Sequence, residues 1–393
     1  MTSTAPSGPL AGVRVIDLAS VVMGPYAAQL LGDMGADVIK VEPPAGDLTR
    51  ITHPQRHPGM GQLALNVNRN KRSIVLDLKS ADGQAALLKL VSTADILLTN
   101  MRPGALARLG LDYERLSTAN PKLIYCNAQG FRTDSDRAGL AAYDEIVQAS
   151  SGFVDLMRRA TGQPNYAPSI LADKVCALTI TYAVLAALVH QRATGAGQQV
   201  EVPMTDTLLA FNLVEHLSGH TFEPPMGATG FNRSMAEPHR AVRTKDGWAC
   251  ILPYTDRNIA AFFEAVGEPD LAADQRFQDP GQRANNFSAL YALVEQFAPM
   301  YTTAEWQEIC GARSIPFAPV LELEDAAADP YFDPMLTVAD HPTEGAYRQV
   351  GFPVRFSATP ATIREHCPTL GQHTGEILAE LGLDNPNGGS AAG

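Results

Sequence analysis

Short apolar runs recur along the first third of the chain, each followed by a stretch with helical spacing. Val13–Leu18 is such a run, with a single acid inside it, and predicts a strand. Pro25 opens a helical stretch over Tyr26–Asp33, since proline is tolerated in a first turn. Gly35 ends it, and Asp37–Glu42 predicts a second strand that Pro43-Pro44 stops. Further strands are predicted over Ser73–Leu78, Asp95–Asn100 and Leu123–Ala128, with helices over Ala81–Val91, Pro103–Leu109 and Tyr113–Ala119. Strands alternating with helices predict an α/β fold, with a parallel sheet covered by helices.

The middle of the chain is more helical. Asp144–Gly152 and Ala172–Arg192 predict helices, the second long and apolar, ended by Thr194-Gly195-Ala196-Gly197. A strand over Gln198–Val202 and a helix over Thr205–Ser218 follow. Glu223–Glu237, rich in Pro, Gly and Met, predicts a loop and a domain boundary. Beyond it, His239–Tyr254 predicts two strands around Lys245-Asp246-Gly247, a short-range hairpin signal. Helices over Asp256–Val266, Asn286–Ala298 and Ala304–Arg313 and a strand over Pro316–Leu323 complete this part. Tyr347–Phe356 predicts a last strand that rejoins the first domain.

Composition narrows the class. At 45% hydrophobic and 18% charged residues, the 393-residue chain can bury a sizeable core, which excludes a wholly disordered protein. The net charge of −12 argues against nucleic acid or an anionic membrane as partner. The five cysteines are scattered with no CxxC pair, and read as reduced thiols of a cytoplasmic protein. The first residues lack the basic and apolar regions of a signal peptide, and no apolar run reaches the length of a membrane span. Residues 385–393 read as a tail without fixed structure.

Several motifs carry chemistry, each with a plainer alternative. The opening strand-helix-strand unit ends in Glu42, where a ribose-binding acid would stand. However, Ala19–Pro25 holds one glycine where dinucleotide binding needs three. His216 and His220 share a helix face but lack the glutamate of a zinc-hydrolase motif, and read as helix-end histidines without a metal. Neither a G-x-S-x-G elbow nor a P-loop is present. Arg69, Lys71 and Arg72 precede the third predicted strand and Lys79 follows it, while Arg102 and Arg108 follow the fourth. Cations at strand ends can hold phosphates in the crevice of an open sheet, or can be ordinary solvated charge. Asp173, at the mouth of the long helix, reads first as a cap or first-turn charge and second as a carboxylate nucleophile or base.

An ordered set of stretches changes those odds. Gly35–Asp47, Asn70–Lys79, Asn100–Gly104, Leu109–Leu116, Asn120–Tyr125, Arg192–Gln198 and Leu370–Thr374 together resemble the class III CoA-transferase family, from about residue 10 to about 383. The resemblance implies a large Rossmann-like domain with a parallel sheet, a smaller inserted α+β domain, and two chains interlocked as a homodimer. On that layout residues 1–222 form the first part of the large domain, 223–330 the small domain, and 331–393 a segment returning to the large one.

The resemblance also implies roles. The nucleophile falls on Asp173. Positions contacting CoA fall on Val22 and Met23, on Leu76 to Lys79, on Asn100, Met101 and Arg102, on Arg108, and on Ala142, Tyr143 and Asp144. Arg72 joins Lys79, Arg102 and Arg108 as a candidate for the CoA phosphates and adenine. Coenzyme A or acyl-CoA is then a substrate, beside a small carboxylic acid, with no permanently bound cofactor and no metal. Two departures shape the expectation. Racemases of the family carry a histidine where this chain has Tyr143, which argues against α-proton transfer, since that chemistry needs an acid and a base. Formyl-CoA transferases carry a glutamine where this chain has Val22, and their glycine-rich flap has only a partial counterpart in Gly227–Phe231, so oxalate specificity is not expected. Arg233, His239 and Arg240 are candidates for shaping the acid pocket, with Arg233 or Arg240 pairing with a second substrate carboxylate.

Overall fold

The computed structural model describes residues 8–383; the predicted tail over 385–393 lies outside the described residues. Six strands, β1 (Arg14–Asp17), β2 (Asp37–Glu42), β3 (Lys71–Val75), β4 (Ile96–Thr99), β5 (Ile124–Gln129) and β6 (Gln198–Pro203), form one sheet in the order β3-β2-β1-β4-β5-β6. Every neighbouring pair is parallel. Strands β4 and β5 are buried at every position, as a parallel sheet with helices on both faces requires. β3 starts at Lys71, two residues before the predicted start, because the charges at its head are buried or paired inside the fold rather than solvated.

The chain winds from β1 outward to β3, then returns to β4 on the other side of β1. The strand order therefore reverses between β1 and β4. In open α/β sheets that reversal leaves a crevice outside the carboxyl ends of the strands.

Two compact units share the chain. The first takes in the described residues of Met1–Ser151, Ala167–Ala210 and Tyr331–Gly393. Its core includes Ile16, Ile39, Ile74, Leu87, Leu97 and Tyr125. The Leu171–Thr194 helix is long and apolar enough by composition to cross a membrane, a length that counting uninterrupted apolar runs does not reveal. Ala172, Cys176, Ala177, Ile180 and Val184 on it are buried in this unit, so its apolar character serves packing.

The second unit takes Gly152–Tyr166 and Phe211–Pro330. It carries an antiparallel sheet of β7 (Val242–Arg243), β8 (Trp248–Ile251) and β9 (Phe317–Pro319). Helices over Asp256–Ala265, Phe287–Phe297 and Thr303–Arg313 accompany it, and capping boxes at Thr255 and Thr302 start the first and third. Phe262 stacks on Trp306 at 5.7 Å in its core. Gly152–Tyr166, with no sequence signal for leaving the first unit, is tied here by Arg159, whose guanidinium donates to the Thr229 carbonyl at 3.1 Å.

The last predicted strand forms and lies in the first unit, but it runs over Gly345–Val350 and not to Phe356. β11 (Gly345–Val350) pairs antiparallel with its neighbour β10 (Leu336–His341) in a sheet of two and does not join the parallel sheet. A hairpin partner close in the chain is the cheaper one to close. The segment is tied to the rest of the first unit by Arg56, which donates to the Ala346 carbonyl at 2.8 Å, and by the helix Thr374–Glu380, where Ile377 and Leu378 are buried and the preceding His373 N–H donates to the Ser73 carbonyl at 2.9 Å.

Candidate active site

The site begins where β1 ends. Ala19–Val22 turns the chain into the helix Met23–Asp33. A Cβ on Gly24 would stand 2.2 Å from the Ala19 Cβ, so only glycine lets the helix start lie this close to the strand end. The first helical bond runs from the Tyr26 N–H to the Val22 carbonyl at 2.8 Å. Upstream of it, the N–H groups of Val22, Met23 and Gly24 have no partner among the described residues. Asn100, just past β4, grips the turn from the side. Its Oδ1 accepts the Ser20 N–H at 3.0 Å and its Nδ2 donates to the Ser20 carbonyl at 2.8 Å.

A cavity of about 290 Å3 opens at the carboxyl ends of β1, β4 and β5, with Val22, Met23, Asn100, Arg102, Tyr143 and Asp173 on its wall, and Ala142 beside them. A second cavity of about 400 Å3, beyond β1 to β3, is walled by Leu76, Lys79 and Leu109 among others. Ser20, Leu48 and Met101 line both, so the two adjoin. An extended ligand with a bulky head and a narrow reactive arm matches such a pair of cavities.

Asp173 is the third residue of the Leu171–Thr194 helix, and its carboxylate caps nothing. Of the plainer reading of the sequence, the first-turn charge holds and the cap does not: no hydrogen bond or ion pair reaches that carboxylate among the described residues. Its own N–H donates to Asp144 Oδ1 at 3.1 Å. Asp144 is buried, and its other oxygen accepts from Gln148 Nε2, while Gln148 Oε1 accepts the Ala167 N–H at 2.9 Å. Burial, then the negative charges of Asp144 and Glu145, push the Asp173 carboxyl up to about 7. A carboxylate without partners, facing unpaired N–H groups across a small cavity, can act as a nucleophile whose product oxyanion finds donors.

Several predicted positions lie elsewhere. Asp144 is not on the cavity wall but behind Asp173, holding its backbone. Arg72 is occupied by Asp37 at 3.0 Å, Glu376 at 2.9 Å and Glu380 at 2.6 Å. Arg69 pairs with buried Asp33 at 2.6 Å, and Lys71 is buried against Asp17 at 2.8 Å. These three precede or open β3, at the end of the sheet away from the crevice, whereas Lys79 and Arg102 follow strands and reach the cavities. Arg108 is exposed on the Pro103–Leu109 helix and lines neither cavity. In the second unit, Arg233 donates from Nε to the Tyr291 hydroxyl at 3.2 Å and lies 4.7 Å over the Tyr254 ring. The His239 ring is 5.2 Å from Tyr291, and burial and then Arg233 lower its pKa. Arg240 faces solvent, paired with Glu295 at 2.9 Å. His216 accepts the Phe231 N–H on Nδ1 at 3.1 Å and so ties a loop rather than pairing with His220.

Sequence reasoning missed Lys40 and Asp47, which underlie the turn. The signal present was a lysine between the apolar residues Ile39 and Val41 of a strand, since a charge at such a position is buried and must be paired.

A model of CoA-transferase family III matches residues 10–374. The chain is 33% identical to the succinate–glutarate CoA-transferase of Agrobacterium fabrum over 95% of this chain and 96% of that one. It is 32% identical to the formyl-CoA:oxalate CoA-transferase of Afipia carboxidovorans over 95% and 93%. Its fold superposes on that of a CAIB/BAIF family protein from Brucella suis with a TM-score of 0.81 and 30% identity, over 95% of this chain and 100% of that one. With the match spanning both units and the returning C-terminal segment, the chain belongs to CoA-transferase family III.

Proposed function

We propose that this enzyme moves coenzyme A from an acyl-CoA donor to a small dicarboxylic acid, with Asp173 as the nucleophile. The observation that carries the reading is the Asp173 carboxylate, without a partner among the described residues, on a cavity shared with the N–H groups of Val22 and Met23, which are likewise unpaired among those residues. The preference for a dicarboxylic acceptor is supported by the relatives named for succinate, glutarate and oxalate.

In the first step an Asp173 oxygen attacks the donor thioester carbonyl. The C–S bond breaks, leaving an acyl-aspartyl anhydride and CoA thiolate. The thiolate attacks the aspartyl carbonyl, forming an aspartyl-CoA thioester and releasing the donor acid as its carboxylate. The acceptor carboxylate then attacks the thioester, and the expelled thiolate takes the acceptor acyl group from the second anhydride, which restores Asp173. Each tetrahedral intermediate carries an oxyanion, and the Val22 and Met23 N–H groups are the donors for it. Lys79, on the second cavity, supplies charge for the CoA phosphates, and Arg102 does the same from the first. The same reading takes the enzyme as an interlocked homodimer. Exposed Leu178, Tyr182 and Val189 on the Leu171–Thr194 helix are the apolar surface a second copy would cover.

The test is intact mass after mixing with formyl-, oxalyl-, succinyl- and glutaryl-CoA, followed by borohydride. Reduction of an aspartyl thioester to the alcohol lowers the mass by about 14 Da, at Asp173 by peptide mapping. A mass loss at another residue, or transfer that survives Asp173→Ala, would overturn the assignment.

A further inference from the structure

Val21 has a φ of +68°, in the left-handed region that a β-branched residue avoids. Nothing within the turn itself accounts for this. Three side chains, one from within β2 and two from the segments that follow β2 and β4, hold successive residues in place. Lys40 Nζ donates to the Ala19 carbonyl at 3.0 Å. Asn100 takes both backbone groups of Ser20. Asp47 accepts the Val21 N–H on both carboxylate oxygens, each at 3.2 Å. Asp47 is in turn paired with Lys40 at 3.1 Å, with both side chains almost fully buried, and it accepts the Thr49 N–H at 2.9 Å. Strained backbone of this kind persists only where its surroundings over-determine it.

The consequence falls on the next residues. With Val21 left-handed and its N–H taken by Asp47, the N–H groups of Val22, Met23 and Gly24 are left without partners among the described residues. Were Val21 to relax to an ordinary conformation, the helix start would rotate relative to Asp173.

We propose that Asp47, braced by Lys40, is a positioning residue that holds Val21 in its left-handed conformation and thereby aims the oxyanion-binding N–H groups of the turn. This rests on the reading of Asp173 as nucleophile and adds a device that acts through the backbone. Asp47 and Lys40 also border the second cavity, so a role in CoA binding has to be separated from a positioning role.

Glycine adopts a positive φ without strain, and that supplies the separation. In the full-length protein, Asp47→Ala lowers kcat about tenfold to hundredfold, the range of a mis-set oxyanion donor, with KM for the acyl-CoA donor unchanged within about twofold. Adding Val21→Gly to that variant restores kcat about tenfold, because the turn no longer needs to be held. The donor is the member of the panel that labels Asp173. An Asp47→Ala enzyme with unchanged kcat, or one whose loss lies in KM, or one that Val21→Gly does not restore, overturns the proposal. Should the single variant leave Lys40 unpaired and fail to fold, Lys40→Met with Asp47→Ala removes both buried charges together and carries the same comparison with and without Val21→Gly. Transfer that persists in Asp173→Ala refutes the parent reading instead, and is scored separately.

Discussion

Asp173→Asn is expected to inactivate the enzyme and make it more stable at alkaline pH. The Asp173 carboxyl is pushed from 3.8 to about 7 by burial first and by Asp144 and Glu145 next. A carboxyl whose folded pKa lies above its unfolded one binds its proton more tightly in the folded state. Folded stability is therefore lost as pH rises from about 4 to about 7, and stays lost above that. At about 1.36 kcal/mol per pH unit, the ceiling of that loss is about 4 kcal/mol. Asp173 is only half-buried against an open cavity, so solvent reduces the effect to on the order of 2 kcal/mol. Asparagine does not titrate, and the substitution removes no hydrogen bond, since the carboxylate has none among the described residues. The assay is urea unfolding at about pH 5 and about pH 8.5. It is followed by far-UV circular dichroism, because Trp248 and Trp306 both lie in the second unit and report on that unit. The variant gains on the wild type between the two pH values, by about 1–3 kcal/mol. A variant no more stable at the higher pH, or one whose advantage is the same at both, would refute the argument that burial and like charge strain this carboxylate.

Four further outcomes follow from the same geometry. The profile of kcat/KM against pH rises through about 7 as Asp173 ionises, and Asp144→Asn, which keeps an oxygen for the Asp173 N–H, moves that limb to lower pH because it removes a neighbouring negative charge. Gly24→Ala forces Ala19 and the helix start apart and lowers kcat by about a hundredfold, on the order of a lost oxyanion donor, while far-UV circular dichroism stays unchanged; a normal kcat would count against the turn's role. Arg72→Met changes the KM for acyl-CoA by less than about twofold but lowers the urea midpoint, because it uncouples Asp37 from the helix bearing Glu376 and Glu380; Lys79→Met raises the KM by about tenfold, the worth of a charged phosphate contact.

The positions of the elements were legible because they are local. Asp37–Glu42, Pro103–Leu109 and Tyr113–Ala119 carry their boundaries in glycine, proline and capping residues within a few positions, and the structure forms those elements over the same residues. The family was legible too, as an ordered set of short stretches, and with it the candidacy of Asp173. Chain order alone could not say which cations are already held by carboxylates of the fold. Arg72 lies at the head of β3 and Lys79 beyond its end, yet one is locked to three carboxylates and the other reaches a cavity. Nor could it say that Tyr347–Phe356 would pair with its own neighbour rather than with the parallel sheet, since strand propensity names no partner. The chemistry of Asp173 was decided furthest from the sequence. Its raised pKa comes from burial and from Asp144, 29 residues away, and the turn it faces is held by Lys40 from within β2 and by Asp47 and Asn100 from the segments that follow β2 and β4. Propensity and pattern are properties of neighbours along the chain. Desolvation, like-charge proximity and a strained φ held by distant side chains exist only once the chain has folded.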